Sequence, residues 1–200
     1  MTRPTDAQGA LADRRRALAM ALAAPFACAE ATRAFAHAPF GRVEPPSPAP
    51  PLPLRGADAV VRPFDRQLLG RVTAVQLMFT GCSATCPLQG ALFGAVAQRL
   101  AAGDARLLSL SIDPLNDDPQ ALAAWLARFG RSPAWQAAAP RVEHVDRLFD
   151  LLAGRAAGVD RHSTQVYLFD RRARLVYRTP ELPPAAHVLE LLEAVGRASA

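Results

Sequence analysis

Residues 75–89, VQLMFTGCSATCPLQ, decide how the rest of the chain is read. The segment opens as a largely apolar run suited to a buried strand and breaks at Thr80-Gly81. Cys82 follows, then Cys86-Pro87. From there the spacing turns helical, with Leu88, Leu92, Phe93, Val96 and Leu100 on one face. The two thiols therefore sit where a strand becomes a helix. A helix start offers unpaired N–H groups and the positive end of the helix dipole, and both favour thiolate over thiol. Residues four apart at such a start can point the same way, so the sulfurs can close a disulfide or hold one ion between them.

Downstream the pattern stays α/β. Residues 107–112, LLSLSI, read as a second buried strand, left through Asp113-Pro114. Asp118-Pro119 supplies an N-cap and a first-turn proline for a helix with Leu122, Trp125, Leu126 and Phe129 inward, stopped by Gly130. Val142, Val145, Leu148, Phe149 and Leu152 mark another helix. Residues 165–169 and 174–177 form two strands joined across Asp170-Arg171-Arg172-Ala173, an antiparallel hairpin. Pro183-Pro184 opens a last helix with Val188, Leu191, Leu192 and Val195 inward. Upstream, residues 59–61 make a short strand and Gly70 ends a short helical turn. Strand, helix, strand, helix, hairpin and closing helix is a thioredoxin-like plan. It is an α/β fold with a central mixed β-sheet flanked by helices and an added N-terminal strand or hairpin region. A two-cysteine turn at the carboxyl end of a strand is where open α/β sheets place ligands.

The first residues read as an address. Arg14-Arg15-Arg16 precede the mild apolar segment ALAMALAAPFACA at 17–29, with small residues at Ala27, Ala29 and Ala31. That is a secretory pattern, 1–31, with a twin-arginine flavour, or a short anchor at the inner membrane. The segment is well short of the roughly 20 residues that span a bilayer. Export implies a periplasmic protein, and an oxidising compartment in which a cysteine pair needs reductant or metal to stay in use. Cys28 belongs to this leader. Prolines crowd residues 32–54, which read as a stiff tether carrying His37. The folded domain is expected at 55–200.

Half of the 200 residues are hydrophobic, enough for a packed core without a disulfide scaffold, for which three cysteines are too few. All 23 basic residues are arginine. They are scattered rather than striped with aromatics, which argues against nucleic acid as a partner. No exposed apolar stripe is evident, so a monomer is the default.

The cysteine spacing is Cys-x-x-x-Cys. A thiol–disulfide oxidoreductase of this fold uses two intervening residues and a cis-proline before the hairpin. Here no proline occurs between residues 141 and 179. A metal site needs a third group, and His162, just ahead of the 165–169 strand, is the candidate. Two thiolates and one imidazole suit a soft, low-coordinate Cu(I), and hold Cu(II) with a further ligand. A structural zinc site wants a fourth protein ligand. The same two cysteines without His162 serve disulfide exchange through a mixed disulfide. A peroxide-reactive cysteine and an inert disulfide are the weaker alternatives. His144 and His187 read as solvated surface residues, Met78 and Trp125 as core, and Asp113 as a group satisfying loop amides.

Three blocks in order resemble the Sco/SenC family. They are Phe79-Thr80-Gly81-Cys82 to Cys86-Pro87; Ser111-Ile112-Asp113-Pro114 with Asp117, Asp118-Pro119 and Phe129-Gly130; and His162-Ser163-Thr164 with Tyr167-Leu168-Phe169-Asp170. Many members carry an acidic residue two positions after the first cysteine, where this chain has Ala84. The resemblance implies a thioredoxin-fold copper metallochaperone that assists assembly of the CuA centre of cytochrome c oxidase. It carries over Cys82, Cys86 and His162 as copper ligands. It implies as partners the oxidase's copper-site subunit, a copper donor chaperone and a thioredoxin-like reductant. Whether the chain is also an enzyme, a reductase of the cysteines in that copper site, stays open on the residues.

Overall fold

The computed structural model describes residues 39–100, 103, 105–157 and 161–199. The leader expected at 1–31 with Cys28, and the start of the tether with His37, lie outside the described residues. The strands are β1 (Gly41–Pro48), β2 (Pro53–Gly56), β3 (Val61–Pro63), β4 (Val72–Met78), β5 (Ala105–Ser111), β6 (Trp135–Pro140), β7 (Tyr167–Phe169) and β8 (Arg174–Arg178). The helices are α1 (Phe64–Leu68), α2 (Cys86–Arg99), α3 (Pro119–Arg128), α4 (Val145–Leu152) and α5 (Ala185–Ala198). One sheet takes all the strands in the order β1-β8-β7-β4-β5-β6-β2-β3.

The sheet is mixed, as the sequence pattern predicts. β4, β5 and β6 are parallel, and β7 and β8 run antiparallel beside β4. Every residue of β4 is buried. Its side chains alternate between two cores, Val75 and Leu77 to one face, Val72, Ala74 and Met78 to the other. A strand covered on both faces reads as a continuous apolar run, which is why it stands out in the sequence. Two parallel joins require crossover helices, here α2 and α3. Asp118 caps α3 by accepting from the Ala121 N–H at 2.8 Å, and Gly130 takes φ +96° beyond its end.

One expectation changes. The proline-rich segment is not a tether up to residue 54. Gly41–Pro48 pairs with β8, and Pro53–Gly56 lies between β3 and β6, so the sheet begins well before Arg55. An edge strand pairs on one side only, and β1 breaks register between Arg42 and Ser47, where Pro45 and Pro46 supply no N–H. Strand β6 is not legible beforehand. Its sequence, WQAAAP, is alanine-rich and poor in β-branched residues. Trp135 fixes it instead, donating Nε1–H to Ser109 Oγ of β5 at 3.0 Å. Met78 and Trp125 are core, as expected. His144 and His187 are half-buried rather than fully solvated.

Candidate metal centre

Strand β4 ends at Met78 and delivers Phe79-Thr80-Gly81 to the cysteine turn. A buried carboxylate, Asp117 in the loop between β5 and α3, holds that turn in place. It accepts from Thr80 N–H at 3.1 Å, from Thr80 Oγ1 at 2.5 Å and from Ser111 Oγ at 2.6 Å. Asp113 satisfies amides of its own loop, as expected. Its main-chain carbonyl accepts from the amides of Asn116 and Asp117, and its carboxylate accepts from Asn116 Nδ2. The loop amide at Thr80 goes to Asp117.

Cys86 is the first residue of α2, and its N–H donates to Cys82 Sγ at 3.3 Å. The sulfur thus takes the place an oxygen usually holds at a helix start. Cys86 is fully buried and Cys82 is 5% exposed, beneath exposed Gly81, Ser83 and Ala84. Cys82 is therefore the first sulfur an incoming group meets. Helix α2 is seated by Gly90: a Cβ there would lie 2.4 Å from the Phe129 ring. That close approach accounts for the Phe129-Gly130 block of the sequence.

The opposite wall carries His162. A short bridge pairs His162 with Arg155, and Ser163 N–H donates to Gly154 O at 2.7 Å. Gly154 must be glycine for this approach, since a Cβ would lie 2.6 Å from Leu77 Cδ1 and 2.9 Å from Tyr167 Oη. Burial, foremost, pushes the Tyr167 phenol above its ordinary range, so it stays neutral beneath the loop. Beyond His162, Glu181 accepts from Ser163 Oγ at 2.9 Å, from Thr164 N–H at 2.5 Å and from Thr164 Oγ1.

These two walls bring Cys86 and His162 together. Cys86 Sγ lies 3.5 Å from His162 Nε2, and Phe79 packs edge-on to the imidazole at 6.1 Å. His162 Nδ1 is 2.9 Å from the Ser163 carbonyl, a group that can only accept. Nδ1 therefore carries the proton, and in the neutral ring the Nε2 lone pair faces the sulfur. That lone pair can take the thiol proton or a metal ion. Two donors 3.5 Å apart suit one ion at ordinary metal–sulfur and metal–nitrogen lengths of about 2.3 and 2.0 Å. Among the described residues no group of three or more Cys, His, Asp or Glu side chains is already arranged to hold a metal ion. The Cys86–His162 pair is set, and Cys82 stands beside it on the helix start. The donor set is soft and low in number, which fits Cu(I) better than zinc. Sequence reasoning missed Asp117 as a clamp, Glu181 and Gly154. Only Asp117 left a signal, four residues after Asp113 in the same loop.

The SCO1/SenC family profile matches residues 62–196, about two thirds of the chain. The chain belongs to the SCO1/SenC family. Solved SCO1/SenC proteins share its thioredoxin-like fold at low identity. A SCO1/SenC family lipoprotein from Bacillus anthracis superposes with a TM-score of 0.65 at 20% identity, covering 76% of this chain and 98% of that one. Bradyrhizobium japonicum ScoI, solved with copper bound, gives 0.62 at 18% identity over 74% and 99% of the two chains. Yeast Sco1, also solved with copper bound, gives 0.62 at 18% over 74% and 90%. No curated protein sequence matches the chain. Among the described residues of this SCO1/SenC chain no helix is long and apolar enough to cross a membrane.

Proposed function

We propose that this SCO1/SenC chain is a copper metallochaperone that takes one copper as cargo on Cys82, Cys86 and His162 and assists assembly of the CuA centre of cytochrome c oxidase. The observation that carries the reading is the Cys86 Sγ–His162 Nε2 approach of 3.5 Å, with Nδ1 committed to the Ser163 carbonyl. That tautomer leaves one nitrogen lone pair and two sulfurs for a soft ion. Relatives solved with copper bound, Bradyrhizobium japonicum ScoI and yeast Sco1, support copper as the cargo. Cargo arrives at Cys82, the more exposed sulfur, and passes inward to Cys86 and His162. Delivery reverses the order, by exchange onto the thiols of the oxidase subunit. Loading displaces thiol protons, so affinity falls as the solution is acidified. The leader at 1–31 exports the chain to the periplasm or holds it at the inner membrane. A copper donor chaperone loads it, and a thioredoxin-like reductant keeps the pair reduced.

A second reading is favoured by the exposure of Cys82 over Cys86. Cys82 thiolate attacks a partner disulfide, forming a mixed disulfide and releasing one partner thiolate. Cys86 then attacks Cys82 Sγ and releases the second, so two electrons pass to the partner and a Cys82–Cys86 disulfide is left. Copper stoichiometry on the reduced full chain separates the two. One copper per chain, lost in His162→Ala and in Cys82→Ser/Cys86→Ser, is the expected result. Wild-type disulfide exchange without copper binding would leave the oxidoreductase.

A further inference from the structure

The end of the sheet opposite the cysteines has a chemistry of its own. Helices α2 and α3 cross between parallel strands, so both run back and finish at the strand starts. Strand β8 leaves α5 to run the same way. Each of the three helices carries an arginine in its last turn: Arg99, Arg128 and Arg197. One such residue favours one helix dipole. The parallel architecture gathers all three at a single edge, to which Arg71 before β4, Arg106 in β5 and the Arg171-Arg172 hairpin add.

Between α5 and α2 this edge opens into a cleft of about 530 Å³. Arg99, Arg171 and Arg197 line it, over apolar Val72, Leu189 and Leu192. Glu193, paired with Arg197 at 3.6 Å, is the one acidic side chain lining it among the described residues. Asp104 lies outside those residues. Arg71 donates to the Gly103 carbonyl at 3.2 Å, a contact that orients the guanidinium and leaves its charge. Arg106 is held below the ordinary arginine range, by burial first and by the charge of Arg71 second. Among the described residues positive charge is thus in excess at this edge. The other end differs: Arg62 and Arg155 there pair with Asp58 and with Asp146 and Asp150.

We propose that this arginine-rimmed, apolar-floored edge docks on an anionic phospholipid bilayer and so turns the cysteine and histidine loops away from the membrane. Guanidinium groups meet the lipid phosphates, and the cleft, floored by buried Val72 and Leu192, offers no competing polar surface there. Among the described residues the cleft lining contains no aromatic side chain on which nucleic-acid bases could stack, which favours lipid over a polynucleotide. Strand β4 runs from Val72 in the cleft to Met78 before the cysteine turn, so the two ends stand about 20 Å apart.

The test is co-sedimentation of the full chain with vesicles of phosphatidylglycerol and phosphatidylcholine, and with phosphatidylcholine alone, at low ionic strength. Arg71→Gln/Arg99→Gln/Arg197→Gln is compared with Arg55→Gln/Arg62→Gln/Arg141→Gln, which removes the same charge at the site end. The leader is common to all variants, so its own membrane affinity cancels. Each basic residue near an anionic surface contributes about fivefold in partitioning, so the first triple is expected to lose on the order of 100-fold. The second triple, the matching Arg→Lys triple at the cleft, and Cys82→Ser/Cys86→Ser are expected to bind like wild type. The last of these makes docking separable from the copper reading. Equal binding by the two glutamine triples overturns the proposal. So does loss of binding in the lysine triple, or a cleft triple that loses a short oligonucleotide while keeping the vesicles.

Discussion

The two walls of the candidate metal centre are held by the same device in two different settings. On the cysteine wall Thr80 gives its N–H and its hydroxyl to Asp117, and Ser111 adds a second hydroxyl. On the histidine wall Thr164 gives its N–H and its hydroxyl to Glu181, and Ser163 adds the second hydroxyl. The difference is water. Asp117 is 2% exposed and sits within the loops that close the sheet, whereas Glu181 stands exposed beside its partners. A buried carboxylate that loses its role leaves donors with nothing to bind, while an exposed one is replaced by solvent. The Asp117 clamp is therefore part of the core's integrity, whereas solvent can stand in for the Glu181 clamp at little cost.

That contrast can be broken by substitution. Asp117→Ala is expected to cost most, on the order of 3 kcal/mol in urea unfolding, because the buried Ser111 donor and the half-buried Thr80 donors lose an acceptor that solvent does not replace. Gly154→Ala comes next. Its methyl would meet Leu77 and Tyr167, costing about 1–3 kcal/mol and moving the strand bridge that carries His162, with weaker copper retention in chelator competition. Glu181→Ala is expected to cost about 1 kcal/mol or less, with copper retention close to wild type. Equal losses for Asp117→Ala and Glu181→Ala in the same unfolding series would erase the distinction between the walls.

The cysteine wall was legible because its signal is local. A fully buried strand, a Cys-x-x-x-Cys turn and a helical period stand side by side in residues 75–89. The thioredoxin-like plan and the Sco/SenC motif blocks followed from that segment and the helices behind it. His162 was found by residue type and position, yet what fixes its tautomer, the Ser163 carbonyl, leaves no mark in a sequence. Glu181 binds Thr164 across 17 residues, a relation that chain folding alone creates. β1 and β2 were hidden by prolines, and β6 by alanines. In each, neighbouring strands supply the stability that the residues' own preferences withhold.

The prolines of β1 bear on more than its pairing. Among the described residues the sheet ends at β1 on one side and at β3 on the other. β1 carries Pro45, Pro46 and Pro48, and β3 is three residues long and finishes on Pro63. An open sheet edge invites a neighbouring chain to add a strand, and repeated addition makes aggregates. Here one margin is depleted of the donors such addition needs and the other is too short to template it. The eight-stranded sheet is in this way a closed account of its own hydrogen bonds, poorly suited to growth at either border.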